Sequence, residues 1–188
     1  MKKKIGNPTV FPCPVVLVTT VDAEGKANII TLAWAGQACS DPPCVTIAVR
    51  PQRYSHDLIR SSGEFVLNVP GRDILDAVDY CGVVSGRRVD KFKVAGLTPE
   101  AASEVTPPLI KECPVSLECR VIHTISLGVH DLFVGEIVAA HAEESVLTER
   151  GKVDYGRLAP FCYNPDEYWS LGEKIGTYGF MKKRELGD

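Results

Sequence analysis

Ser40, Arg50, Arg53 and Ser55 lie close together in the chain. They offer the hydroxyl and guanidinium donors that a phosphate needs. Ser55 also reads as the N-cap of a short helix, and a helix N-terminus favours anions. Just upstream, the run from Asn28 begins as a strand and then loses its large side chains. Ala33, Ala35 and Gly36 are small, so a planar body can lie against the backbone there. Backbone N–H groups from Thr31 to Ala35 are the donors such a body would meet.

Other chemistries find less support. No G-x-G-x-x-G and no G-x-x-x-x-G-K-[ST] occurs, so neither a Rossmann nor a P-loop nucleotide site is indicated. G-x-S-x-G is absent, which removes the nucleophile elbow. Seven cysteines, at 13, 39, 44, 81, 113, 119 and 162, form no C-x-x-C pair. They are expected to be reduced and buried, with no metal bound. His56, His123 and His141 are expected to be structural, and Glu143-Glu144 sits in a polar, solvated stretch.

These residues need elements to hold them. Pro14–Val21 and Ala27–Trp34 read as a hairpin around Asp22-Ala-Glu-Gly-Lys, and Cys44–Arg50 as the next strand. A helix is expected from Ser55 to a stop at Gly63, followed by a strand over Glu64–Val69. Asp73–Cys81 has helical spacing, Arg87–Leu97 is helical or irregular, and Thr98–Pro108 is a loop by composition. Val115–Ser126 and Asp131–Ala140 form a second hairpin. From Ala159 onward comes an aromatic tail. Many short strands with a few inserted helices imply a mainly β protein with α additions, a barrel in one domain over 1–188.

Composition fits that reading. The 188 residues are 45% hydrophobic and 24% charged, the range of soluble globular domains. A net charge of −3 lacks the basic excess of a general nucleic-acid binder. Met1-Lys-Lys-Lys resembles the start of a signal peptide, but Pro8, Pro12 and Pro14 interrupt the apolar run behind it. No segment is long and apolar enough to span a bilayer. A cytoplasmic protein is expected, with neither nucleic acid nor membrane as partner.

A flat ring beside exposed backbone, with a phosphate held by Arg and Ser, describes a site for flavin mononucleotide (FMN). Three stretches carry a resemblance to the flavin reductase-like family of FMN-binding split β-barrels, and to its flavoredoxin-type members. They are Leu32-Ala-Trp-Ala through Ser-Asp-Pro-Pro, Asp90-Lys91-Phe92, and Gly128-Val-His-Asp-Leu-Phe-Val-Gly-Glu. The likeness covers about residues 10–180. Val129 departs from it, since the family usually has an acid or Asn before the His.

The resemblance implies that Leu32, Ala33 and Trp34 lie along the ring and Lys91 near the phosphate. It implies that His130 faces the flavin edge or an incoming nicotinamide. It also implies a homodimer with the cofactor between barrels; the aromatic tail, longer than one small barrel needs for closure, points the same way and puts Trp169 at the site's edge. The expected activity is oxidation of NADH or NADPH by flavin, with electrons passed to free flavin, ferric iron or a partner protein. Two alternatives stay open: an electron-transfer protein with permanently bound FMN and no nicotinamide step, and a non-redox ligand-binding barrel.

Overall fold

The computed structural model describes residues 1–4, 6, 10 and 12–185, with side chains through 182. Pro8 and the end of the expected tail, 186–188, lie outside them. Among the described residues, twelve strands and five α-helices follow in chain order. They are β1 Cys13–Pro14, β2 Val16–Val21, β3 Ala27–Leu32, β4 Ala35–Ser40, β5 Pro43–Val49, α1 Tyr54–Ser62, β6 Glu64–Val69 and α2 Leu75–Val83. Then come α3 Lys91–Ala95, β7 Pro99–Glu100, β8 Leu109–Ile110, β9 Val115–Ser126, β10 Asp131–Ala142, α4 Tyr155–Leu158, β11 Phe161–Asn164, β12 Glu167–Ser170 and α5 Phe180–Glu185. None of the described helices is long and apolar enough to cross a membrane.

Seven strands form one antiparallel sheet in the order β3-β2-β6-β9-β10-β5-β4. Its inner face closes on a single apolar cluster that includes Val16, Val18, Ile30, Ile47, Phe65 and Phe133. The result is a split barrel, mainly β with added helices.

β2 is buried at every residue. Val16 and Val18 point inward, while Leu17 points outward into a second cluster with Ile29, Val78, Phe92 and Phe161. A strand covered on both faces reads as a continuous apolar run rather than an alternation. The outer cover is α2, α3 and a small sheet, β1-β11-β12, made by the two ends of the chain.

Several boundaries differ from the sequence reading. The expected strand Ala27–Trp34 stops at Leu32, because β3 and β4 lie at opposite edges of the sheet and residues 33 and 34 cross the split between them. Trp34 stays tied to β5, its carbonyl accepting from the Ala48 N–H at 2.9 Å. Helix α1 starts at Tyr54, so its N-cap is Arg53, without a side-chain cap, and not Ser55. Gly63 ends it at φ 70°, the left-handed conformation that favours glycine. Helix α2 runs through Gly82 to Val83. The Thr98–Pro108 loop contains β7, paired with β8.

The tail folds back on its own barrel as far as Ser170: β11 pairs with β1 and β12, and the Tyr168 hydroxyl donates to Asp79 Oδ1 at 3.0 Å. Burial, then the neighbouring Asp79, pushes the Tyr168 phenol up to about 12.

Candidate functional site

The crossing at the split opens a cavity of about 550 Å³. Its floor is the end of β3 and the crossing itself: Ile30, Thr31, Leu32, Ala33 and Trp34. Ala48, Val49 and Arg50 come from β5, Asp79 and Gly82 from α2, and His130 from the β9–β10 turn. Tyr163, Asp166 and Tyr168 wall the far side. As an edge strand, β3 keeps half of its backbone polar groups free of a sheet partner. The Thr31 hydroxyl is already committed, donating to the Val78 carbonyl at 2.5 Å and tying α2 to β3.

A smaller cavity of about 120 Å³ adjoins the first and shares Ile30, Arg53 and Gly82 with it. Asn28, Ser55, Lys91 and the Val84–Gly86 loop complete its wall. Lys91 is 4% exposed. Its Nζ donates to the carbonyls of Ile29 (2.8 Å) and Cys81 (2.7 Å), leaving one N–H of the ammonium group uncommitted. Burial holds the Lys91 ammonium down to about 8; the Cys81 sulfur opposes that shift and Arg53 adds to it.

Asn28 Nδ2 donates to Ser55 Oγ at 2.8 Å, so the Ser55 hydroxyl proton is left to point elsewhere. Asn28 Oδ1 is buried without a partner. A Cβ on Gly86 would overlap that oxygen, which is why the loop passes here with glycine. Two cations and a free hydroxyl around one small pocket make an anion site.

At the opposite end of the large cavity, Arg50 Nε donates to His130 Nε2 at 3.3 Å, and the His130 ring lies 4.4 Å from Trp34, tilted by 47°. Guanidinium has only donors, so His130 Nε2 is the bare acceptor and the ring proton sits on Nδ1. Burial and then the Arg50 charge lower the His130 pKa, in keeping with a neutral ring.

The structure thus brings together Thr31, Leu32, Ala33, Trp34, Arg50, Arg53 and His130 around one cavity, and Arg53, Ser55 and Lys91 around its annex. Two expected residues lie apart. Ser40 is exposed at the tip of the β4–β5 hairpin, opposite Pro43, at the far end of β4 from the crossing. Trp169 is 56% exposed and bonds to Glu167. Strand alternation turns it away from the cavity that its neighbour Tyr168 lines. Arg50 lines the large cavity beside His130 and not the annex.

Asn28, Asp79, Tyr163 and Tyr168 were not expected at the site. An Asn inside the apolar run Ala27–Leu32 is the signal that could have found Asn28, since strands are depleted of Asn unless it has a partner.

Residues 9–172 match the model of the flavin reductase like domain. The chain belongs to the flavin reductase-like family. It superposes on flavoredoxin of Desulfovibrio vulgaris (Miyazaki F) with a TM-score of 0.89 and 35% identity, over 95% of this chain and 97% of that one. Flavoredoxin from Methanosarcina acetivorans gives 0.87 and 34%, over 99% and 100%. A relative from Archaeoglobus fulgidus, described as an uncharacterized protein, is 34% identical over 154 residues, 82% of this chain and 86% of its own length. Split barrel and family therefore agree with the reading of the sequence.

Proposed function

We propose that this chain is an FMN-dependent oxidoreductase. The isoalloxazine would lie along the Leu32–Trp34 crossing, with the phosphate in the annex lined by Arg53, Ser55 and Lys91. The observation that carries this is the pairing of a large cavity floored by edge-strand backbone with a small cationic pocket, joined at Arg53. The fit is chemical: the pocket's unspent donors suit a phosphate dianion. The chain carries no dinucleotide fingerprint of the G-x-G-x-x-G type, which favours FMN over FAD.

When bound, the flavin supplies a ring that accepts and releases electrons and a hydride at N5. The chain's own residues do the rest. Arg53 and Lys91 bind the phosphate, Leu32–Trp34 seat the ring, and Arg50 holds positive charge beside the reactive edge. His130, neutral, anchors Arg50 there. NADH or NADPH would deliver the hydride, and free flavin, ferric iron or a partner protein would take the electrons. The test is a visible spectrum of FMN-loaded protein before and after anaerobic NADH and NADPH. Bleaching by either supports the reductase. Recovery of FAD alone, or no flavin retained after reconstitution, overturns the FMN assignment.

A second reading, electron transfer with FMN permanently bound and no nicotinamide step, draws on the likeness to two flavoredoxins at 35% and 34% identity. Tightly held FMN that neither nucleotide bleaches would select it.

The working unit in this proposal is a homodimer. From Ile122 to Ser126, β9 is exposed on both faces, and Ile122, Ile125, Leu127 and Val129 present apolar side chains there. β4 is exposed beyond Ala35. Bare apolar strands of this kind call for a protein cover. Light scattering that finds a monomer binding FMN normally would reject the dimer.

A further inference from the structure

The turn that carries His130 has little packing of its own. Leu127 is 61% exposed and Val129 68%. The Leu127 N–H donates to the His130 carbonyl at 2.9 Å, which closes the turn but does not aim it. Its aim comes from the base. Asp131 and Ser126 are cross-strand partners, and the Ser126 hydroxyl donates to Asp131 Oδ1 at 2.8 Å. The other carboxylate oxygen, Oδ2, faces inward and accepts from His56 Nε2 at 2.8 Å.

His56 is 3% exposed and Asp131 7%. Phe133 holds the His56 ring edge-on, with centroids 5.4 Å apart. A buried bond between a carboxylate and a ring N–H is short and directional. It connects the first turn of α1 to the residue next to His130.

We propose that His56 is a positioning residue: through Asp131 it fixes the turn that presents His130, and with it Arg50, to the cavity. The proposal rests on the reading of His130 as the side chain at the reactive edge, but its geometry is present without any cofactor. His56 touches neither cavity. Its one close side-chain polar contact among the described residues is Asp131; Nδ1 lies 3.7 Å from Asp57 Oδ1, and the ring packs on Phe133.

The first readout is nitrogen NMR of the histidine rings in flavin-free protein. In the parent, His130 should show one tautomer, protonated at Nδ1. In His56→Leu that single form should be lost to a mixture of both tautomers, as the Arg50 contact loosens. His56→Gln, whose amide can still donate to Asp131, should restore it. FMN affinity should change less than about twofold in both variants, since the phosphate donors are untouched.

The second readout is a double-mutant cycle on the midpoint potential of the FMN-loaded protein. His56→Leu should shift the potential in the parent and add nothing in a His130→Ala background. If His56→Leu does not fold, Asp131→Asn serves the same cycle, because it keeps the shape and removes the charge. An unchanged His130 tautomer in a folded His56→Leu protein overturns the proposal. So does an equal effect with and without His130. Failure to bind FMN would sink the functional reading and leave the NMR result standing.

Discussion

The two ends of the cavity are built on opposite plans. At the annex, Lys91, Asn28 and Ser55 are buried and bonded to one another's elements before any ligand arrives. At the other end Arg50 is exposed, Trp34 is 48% exposed, and His130 rides on an exposed turn. Pre-set donors bind without paying for their own ordering, so the annex is suited to hold. An open end admits a second molecule, so it is suited to react. Helix α1 serves both. Its N-cap Arg53 and Ser55 of its first turn face the annex, and His56, about 100° further round than Ser55, reaches the hairpin behind.

The contrast is sharpest at Lys91. Lys91→Met should weaken FMN about a hundredfold, the upper end for a charge-assisted bond, because burial leaves no water to replace the charge. It also leaves the Ile29 and Cys81 carbonyls without their donor, so the melting temperature should fall. Riboflavin, which lacks the phosphate, should lose much less than FMN. Fluorescence titration of both flavins reads the difference. Equal losses would show that Lys91 braces the fold and does not meet the phosphate.

Arg53→Ala should cost about tenfold for FMN, the lower end of the same range, because Arg53 is exposed and water can partly replace it. Riboflavin should again be nearly unaffected. If FMN and riboflavin weaken together, Arg53 holds the ring and the two ends are less distinct than their burial suggests.

pH tests the same pocket without mutation. Burial holds Lys91 down to about 8. Below that pH the ammonium is charged and ready for the phosphate. Above it, binding must first draw a proton onto Lys91. FMN affinity should therefore change little near pH 7, drop about twofold by pH 8 and fall about tenfold by pH 9, while riboflavin stays flat. Parallel profiles for the two flavins would remove Lys91 from the phosphate site.

The sequence disclosed these two ends unequally. Arg53 and Ser55 were legible as neighbours, Lys91 joined them through the family resemblance, and the annex gathers all three; the β runs and most helices fell near their expected places. What it hid was where the sheet splits. Ala27–Trp34 looks like one strand because its apolar pattern continues across the gap, and only the order of strands in the sheet shows the break at Ala33. Ser40 misled for the same reason: nearness in sequence meant distance along a hairpin. Arg50 misled through chemistry, since any Arg near a phosphate motif resembles a ligand, and its bond to His130 depends on a hairpin eighty residues later. His56 looked structural because a buried partner such as Asp131 leaves no local trace.

The smallest expected effect on binding belongs to His130→Ala, and it tests the open end. His130 touches none of the annex residues, so FMN affinity should change less than about twofold. What it removes is the acceptor that holds Arg50 in place. A loosened guanidinium spreads its charge into solvent, where water screens it. Negative charge that develops on the ring during reduction then loses a fixed counter-charge. The midpoint potential should fall by about 30 mV, which is about 1.4 kcal/mol for a two-electron couple. Reduction should slow with it. Arg50→Lys should give part of this loss, since its ammonium keeps the charge but not the planar N–H geometry that meets Nε2. Spectroelectrochemistry on the FMN-loaded variants measures the shift. An unchanged potential and unchanged reduction rate in His130→Ala would make the open end a mere mouth, and would leave the annex as the one part of this cavity that its residues tune.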